Sequence, residues 1–257
     1  MKPRVLIIRA PGTNCDLETQ YAFELAGGAA DVLHINRWLD HPALADRYQI
    51  LCIPGGFSYG DDVAAGRILA NQIQQFLADE VADFIANDKL ILGVCNGFQA
   101  LLKSGILLPQ EKTRPVATLT WNDAGHFIDR WVHLKVSGDR CVFLRNIESM
   151  YLPIAHAEGK FVADQEETLD TWSNAGQLAL SYCTDDGSLC NGGSDNPNGS
   201  QRDVAGVCDA TGRIFGLMPH PERFVHRTQH PRWTRLGSDL SADGLAVFRN
   251  AVEYFTA

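Results

Sequence analysis

The chain has 257 residues, of which 45% are hydrophobic and 21% are charged, as is typical of a compact protein with one sizeable core. The formal net charge is -9 and no long Lys/Arg cluster occurs, which argues against a nucleic-acid partner. No stretch approaches the roughly 20 apolar residues of a membrane span, and the apolar run before Arg9 is too short for a signal-peptide core. We therefore predict a single cytoplasmic domain over residues 1–257, with no nucleic-acid or membrane partner.

The seven cysteines are odd in number, scattered, and never spaced as Cys-x-x-Cys. This pattern argues against a disulfide framework and against a structural zinc site, so we predict no bound metal. Most of these cysteines are expected to be small buried residues or free thiols. Only the context of Cys95 indicates chemistry.

The first hundred residues alternate short aliphatic runs with amphipathic segments. This alternation predicts an open parallel sheet with helices on both sides. The fourth strand is apolar throughout, as expected of a central strand that is buried on both faces. The predicted strands are residues 5–9, 31–35, 49–53 and 90–94, and the predicted helices are residues 16–26 and 64–86.

From about residue 109 to 213 the pattern changes to strands and turns, which we interpret as an antiparallel extension of the sheet. The segment 185–199 is crowded with Gly, Asn, Asp and Pro, and is therefore predicted to be a loop. A last buried strand is expected at 214–218 and a closing helix at 242–255. The predicted strands of the extension are residues 121–137, 152–155, 178–183 and 204–208.

Cys95 stands at the corner between the strand 90–94 and a following helix, in the pattern Gly-x-Cys-x-Gly. This is the cysteine counterpart of the Gly-x-Ser-x-Gly nucleophile elbow. A helix N-terminus favours the reactive thiolate over the thiol. The backbone N–H of Asn96, the next residue, is expected to point toward an oxyanion at the attacked carbonyl.

A thiolate that attacks an amide also needs a proton carrier, and His220 has the best setting of the eight histidines. It follows a buried strand and lies between two prolines, which we expect to keep the chain extended. Residues two apart would then point to the same side, so that Glu222 can orient the His220 ring. His156 and Glu158 repeat the His-x-Glu spacing and remain an alternative pair.

A glycine-rich loop at residues 53–62 follows the third predicted strand. Loops at the carboxyl ends of neighbouring parallel strands share one crevice, so this loop is expected beside Cys95. Gly56 is the predicted second oxyanion donor, because glycine lets its N–H turn toward the site. Phe57 is predicted to contact the substrate. No nucleotide-binding glycine motif occurs.

Six segments together resemble the class I glutamine amidotransferases, whose Cys-His-Glu triads sit on a flavodoxin-like core. Within that class they resemble the glutaminase, subunit or domain, of phosphoribosylformylglycinamidine synthase. The segments begin at Arg9 (Arg-x-Pro-Gly-x-Asn-Cys-Asp), Gly55, Gly93, Leu152 (Leu-Pro-Ile-Ala-His-x-Glu-Gly), Asn196 (Asn-Pro-Asn-Gly-Ser) and Gly216 (Gly-Leu-Met-Pro-His-Pro-Glu-Arg). The sequence departs from the family pattern at Phe98, where a Cys is frequent, and at Ala157, where a Gly is expected.

The resemblance implies that Cys95 is the nucleophile, that His220 and Glu222 are its partners, and that Gln99 binds glutamine. It also implies that ammonia passes to a large synthetase subunit, which works with a small bridging subunit. That synthetase would hold ATP and magnesium and make formylglycinamidine ribonucleotide from formylglycinamide ribonucleotide, whereas this chain would bind no cofactor. Two alternatives remain at this point: a free-standing cysteine hydrolase of γ-glutamyl bonds, and a non-catalytic regulatory subunit.

Overall fold

A computed structural model describes residues 2–108, 115–237 and 240–256. The start of the predicted antiparallel region, at residues 109–114, lies outside this part of the chain. The strands are β1 (Arg4–Arg9), β2 (Ala29–His34), β3 (Ile50–Ile53), β4 (Leu90–Val94), β5 (Ala117–Thr120), β6 (Ile128–Val136), β7 (Ser149–His156), β8 (Lys160–Ala163), β9 (Leu180–Cys183), β10 (Val204–Cys208) and β11 (Ile214–Leu217). The helices are α1 (Asp16–Leu25), α2 (Ile35–Asp40), α3 (Arg67–Phe76), α4 (Ala78–Ala86), α5 (Asn96–Lys103), α6 (Glu166–Asn174) and α7 (Gly244–Glu253).

The main sheet has nine strands in the order β2-β1-β3-β4-β11-β10-β9-β6-β7. The first five strands are parallel, and the last four continue the sheet in antiparallel fashion. The order 2-1-3-4 followed by the last parallel strand is that of flavodoxin-like folds. The predicted fold class is therefore correct in both its parallel half and its antiparallel extension.

Helices cover both faces of the parallel half. On one side α1 packs against β1, β2 and α7, and on the other α5 packs against β3, β4, β11 and α3. The central strands β3, β4 and β11 are buried along their whole length. The carboxyl ends of β3, β4 and β11 meet at one edge of the sheet, which brings together the loops that begin at residues 54, 95 and 218. A separate two-stranded sheet, β5 with β8, lies beside α5.

Two predicted elements were wrong in detail, and α2, α6, β5 and β8 were not predicted. The helix expected over residues 64–86 is two helices, broken at Leu77, whose φ of -131° is not helical. The strand expected over 121–137 is shortened to β6, because residues 121–127 form a loop and the preceding strand β5 pairs with β8 instead. The helix α6 was missed, since its apolar stripe consists mainly of Leu169 and Trp172.

The described part of the chain contains no helix with both the length and the apolar character needed to cross a bilayer.

Candidate active site

Cys95 sits in a strained corner between β4 and α5. Its φ of 49° and ψ of -105° place a non-glycine residue in the left-handed half of the Ramachandran map. The flanking glycines are required by close packing: a Cβ at Gly97 would lie 1.8 Å from the carbonyl oxygen of Ile53. A Cβ at Gly93 would lie 2.7 Å from the carbonyl oxygen of Gly97. The pattern Gly-x-Cys-x-Gly thus folds as an elbow that places the sulfur at the N-terminus of α5.

His220 and Glu222 lie next to this corner, on the segment that follows β11. The His220 Nδ1 atom is 2.6 Å from Glu222 Oε1, and both side chains are buried. The expectation of an extended chain was wrong, because residues 221–223 form a short 3₁₀ turn. The turn nevertheless lets Glu222 fold back onto the ring. The backbone N–H of His220 donates to the carbonyl of Pro153, which fixes the segment against β7.

The pairing with Glu222 determines the state of the His220 ring. Nδ1–H donates to the carboxylate, which leaves Nε2 to exchange a proton, and Nε2 has no hydrogen-bond partner within the described residues. Burial by itself would lower the pKa of His220, but the charges of Glu222 and the Cys95 thiolate raise it well above the usual value. The imidazolium is therefore favoured when Cys95 is ionised. Cys95 and His220 line the same cavity of about 230 Å³.

The two predicted oxyanion donors lie on the loops around Cys95. Gly56 has a φ of +140°, and a Cβ there would lie 2.7 Å from the backbone nitrogen of Asn14, so only glycine fits. The glycine-rich loop pairs with the loop after β1 through a short antiparallel bridge. In this bridge the N–H of Phe57, and not that of Gly56, donates to the carbonyl of Gly12. The N–H of Asn96 belongs to the first turn of α5, where such groups lack intrahelical partners. Among the described residues, no backbone partner is found for either N–H, and their role as oxyanion donors stays a prediction.

A second cavity of about 300 Å³ opens beside Cys95 and is lined by both predicted substrate-binding residues, Gln99 and Phe57. Phe57 is 44% exposed. The buried amide of Gln99 is already engaged, because Nε2 donates to the carbonyl of Glu158 at 2.6 Å and Oε1 accepts from Asn96 at 3.0 Å. Gln99 therefore holds the cavity wall in place and retains one amide hydrogen for a ligand.

The alternative pair, His156 and Glu158, is not a histidine–carboxylate couple. The His156 Nδ1 atom lies 3.1 Å from Asn122 Oδ1, whereas Glu158 Oε2 lies 3.6 Å from Lys103 Nζ and accepts from the N–H of Ala65. Burial, followed by the positive charge of His220, lowers the pKa of His156 to about 3. Both residues line the cavity of about 300 Å³.

Sequence reasoning missed Cys15, which borders the site. Its sulfur lies 4.0 Å from His220 Nδ1 and 3.2 Å from Arg223 Nη2. Burial raises the pKa of Cys15 to about 11, so it stays a neutral thiol. Cys15, His220 and Glu222 offer three ligand atoms within 4.8 Å of one another, but a cation there would face the guanidinium of Arg223. The strand order could have indicated this position. Because β1 is the neighbour of β3, the loop after β1, which carries Cys15, lies at the same edge of the sheet as the glycine-rich loop.

Sequence reasoning also missed Asp61 and Trp121, which line the 300 Å³ cavity. In the sequence, Asp61 is one member of the glycine-rich loop 53–62, and Trp121 begins the predicted strand 121–137. Asp61 can be recognised only from the contact between its loop and α5, in which Asn96 Nδ2 donates to Asp61 Oδ1 at 2.9 Å.

Comparison with known proteins places this chain in a family. A family model described as the CobB/CobQ-like glutamine amidotransferase domain matches residues 2–255. The phosphoribosylformylglycinamidine synthase subunit PurQ of Dehalococcoides mccartyi is 46% identical over 98% of each chain, and that of Methanococcus maripaludis is 41% identical over 98% of this chain and 97% of its own. A chain in the structure of PurLQS from Thermotoga maritima is similar with a TM-score of 0.76 and 32% identity, covering 99% of this chain and 100% of that one. The family predicted from the motifs is confirmed: the chain belongs to the glutamine amidotransferases and, within them, to the family of the phosphoribosylformylglycinamidine synthase subunit PurQ.

Proposed function

We propose that the chain is the glutaminase of phosphoribosylformylglycinamidine synthase and releases ammonia from glutamine through a thioester on Cys95. The observation that carries this proposal is the strained placement of Cys95 at a helix N-terminus beside the buried His220–Glu222 pair. Such a constellation has a nucleophile, a proton carrier and a group that orients the carrier. Family membership supports glutamine as the amide substrate.

The reaction begins when His220 Nε2 takes the proton of the Cys95 thiol. The thiolate adds to the amide carbon of glutamine, and the N–H groups of Gly56 and Asn96 stabilise the resulting oxyanion. As the intermediate collapses, the C–N bond breaks and His220 gives its proton to the departing nitrogen, so that ammonia leaves and a thioester remains. His220 then deprotonates a water that attacks the thioester. The C–S bond breaks to release glutamate, and the imidazolium returns its proton to the sulfur, which restores the Cys95 thiol.

Glu222 stabilises each imidazolium that forms and keeps Nδ1 protonated. Its carboxylate is buried and touches the ring directly, so it orients His220 without contacting substrate. Cys15 remains a thiol beside the ring and does not compete for the proton, because its pKa is raised to about 11 by burial.

The ammonia is proposed to pass to a large synthetase subunit that works with a small bridging subunit. The similarity to a chain of PurLQS supports this assembly. ATP and magnesium would be held by the synthetase, which converts formylglycinamide ribonucleotide to formylglycinamidine ribonucleotide, while this chain needs no cofactor of its own. A cytoplasmic location is part of the proposal and is supported by seven free cysteines, which suit a reducing compartment.

The decisive experiment measures glutamate formation from glutamine by the purified chain, alone and with its synthetase and bridging subunits. We expect turnover in the complex that is coupled to formylglycinamidine ribonucleotide synthesis. Turnover without any complex formation would instead favour a free-standing γ-glutamyl hydrolase. Binding to the synthetase without glutaminase activity would favour a regulatory subunit.

A further inference from the structure

The cavity of about 300 Å³ beside Cys95 carries polar groups that the chemistry above does not use. Asp61, Glu158 and His156 all line it together with Cys95. Its size is at the lower end for small-molecule sites and suits a ligand as small as one amino acid. These three side chains therefore face whatever part of the substrate lies beyond the reacting amide.

Asp61 contributes a carboxylate that, within the described part of the chain, forms no salt bridge. Its Oδ1 accepts from the neutral amide of Asn96 at 2.9 Å, and the backbone N–H of Gly66 is a second neutral donor. Glu158, by contrast, lies 3.6 Å from Lys103 Nζ.

The electrostatics of the cavity favour a positive ligand. Burial, followed by the negative charge of Glu158, raises the pKa of Asp61 to about 6, and the attraction of Lys103 does not offset them. An ionised carboxylate in such a place is stabilised by a cation that enters. A cationic group would offset both the desolvation cost of the Asp61 carboxylate and its repulsion by Glu158.

His156 adds no competing positive charge to this wall. The orientation of the Asn122 amide is fixed, because its Nδ2 donates to the carbonyls of His126 and His156 and its Oδ1 accepts from the N–H of Gly159. Asn122 Oδ1 therefore meets a protonated Nδ1 of His156. With a pKa lowered to about 3 by burial, the ring is neutral and its Nε2 is a hydrogen-bond acceptor.

We propose that Asp61, with Glu158 beside it, receives the α-ammonium group of glutamine and so directs the amide end of the substrate toward Cys95. The inference rests on the glutaminase function proposed above. The ammonium is the only cation of glutamine, and Cys95 must meet its amide, so a carboxylate in the same cavity distinguishes the two ends of the molecule. Asp61 thereby becomes a specificity-determining residue in addition to Gln99 and Phe57.

The test compares glutamine with glutaramate, which has the same amide and carboxylate but no α-ammonium, as substrates of the assembled complex. The wild type should prefer glutamine by at least about tenfold in kcat/KM, since a site built for a polar group rejects an analogue that lacks it. Asp61→Asn keeps the shape and an acceptor for Asn96 but removes the charge. It should raise KM for glutamine at least about tenfold, leave glutaramate hydrolysis within about twofold, and collapse the preference between them. Asp62→Asn, an exposed neighbour, is the matched control and should change neither substrate.

Three results would overturn the proposal: equal use of glutamine and glutaramate by the wild type, an undiminished preference in Asp61→Asn, or an equal loss on both substrates, which would show a structural role. The wild-type comparison does not depend on any variant folding correctly. A wild-type complex that releases no ammonia from glutamine would contradict the glutaminase function itself. A working glutaminase whose preference ignores Asp61 would contradict only this subsite.

Discussion

The side chain of Asn96 joins the nucleophile corner to the glycine-rich loop, because its Nδ2 lies 2.9 Å from Asp61 Oδ1 and its Oδ1 accepts from the N–H of Ser58 at 3.1 Å. The residue after Cys95 therefore positions the loop that carries Gly56. A displacement of the loop would move the proposed oxyanion donor and the proposed ammonium receptor together. Substrate binding and catalysis are thus coupled through one amide group.

Cys95→Ala should abolish glutamine hydrolysis without unfolding the chain, because the sulfur forms the thioester and contributes little packing. We expect glutaminase activity below about one thousandth of wild type, the scale at which loss of a nucleophile is usually felt. Synthesis from free ammonia by the complex should persist. Cys190→Ala, at a half-buried cysteine outside the site, is the control. If the ammonia-dependent reaction is lost as well, Cys95 is needed for the function of the synthetase rather than as the nucleophile that forms the thioester.

His220→Ala should be more damaging than Glu222→Ala, since His220 transfers protons and Glu222 only orients and compensates its ring. A difference of about tenfold to a hundredfold in kcat is expected, as in other triads. His156→Ala tests the alternative pair and should act mainly on KM, because His156 borders the cavity but is hydrogen-bonded to Asn122. A larger fall in kcat for His156→Ala than for His220→Ala would reverse the assignment.

Gly56→Ala should lower kcat by about a hundredfold to a thousandfold, the range for loss of one oxyanion donor. The added methyl would meet the backbone nitrogen of Asn14 at 2.7 Å and force the loop away. Gly125→Ala is a matched control, because Gly125 also has a positive φ, of +68°, but a Cβ there has nothing within 4 Å. Gly125→Ala therefore shows the cost of an added methyl at a positive φ where no clash occurs. Equal effects on kcat would rule out a role for the Gly56 N–H.

The sequence alone predicts the features of the site whose causes are local. The Cys95 corner was predictable because its cause is local: a buried strand, two glycines and a helix start lie within a few residues. The pairing of His220 with Glu222 was also local, although the expected extended backbone was replaced by a turn. Asp61 and Cys15 depend on contacts between loops that are distant in sequence, which periodicity does not encode. The break at Leu77 has neither Gly nor Pro to mark it.

The affinity for glutamine should weaken in acid. Asp61 is ionised only above its pKa of about 6, which burial and Glu158 raise, and an ammonium group binds the ionised form. KM should therefore rise as the pH falls through 6, approaching about tenfold per pH unit, while kcat changes less because the bound ammonium holds Asp61 ionised. His156, which faces the same cavity, does not account for this change, because burial lowers its pKa to about 3 and it stays neutral in this range. Glu158, Lys103 and Cys95 also face the cavity or Asp61, so the Asp61→Asn variant is needed to separate their contributions.

The measurement is KM and kcat between pH 5 and 8, with glutaramate as the comparison substrate. KM for glutaramate should not rise as the pH falls through 6, and neither should KM for glutamine in Asp61→Asn. An acid limb that persists in Asp61→Asn would assign the titration to another group.

Partner subunits should raise the glutaminase rate by improving the position of the glycine-rich loop. Tyr59, Asp61 and Val63 all have φ values between 55° and 72°, and Val63 is 91% exposed. Non-glycine residues in this region cost of order 1 kcal/mol each or more. The strained shape is held by Asn96 and by the loop after β1, where the carbonyls of Pro11 and Gly12 accept from the N–H groups of Tyr59 and Phe57. We expect the shape that aims the Gly56 N–H at the oxyanion to be populated only part of the time in the isolated chain, and docking of the synthetase to select it. Low basal turnover would also avoid release of ammonia before an acceptor is bound.

Steady-state rates should be compared for the chain alone and for the complex with nucleotide and acceptor substrate. Asn96→Ser, which shortens the side chain between Ser58 and Asp61, should reduce the rate of the isolated chain more than that of the complex. Equal rates with and without partners would refute this gating and leave the roles of Cys95, His220 and Glu222 unaffected.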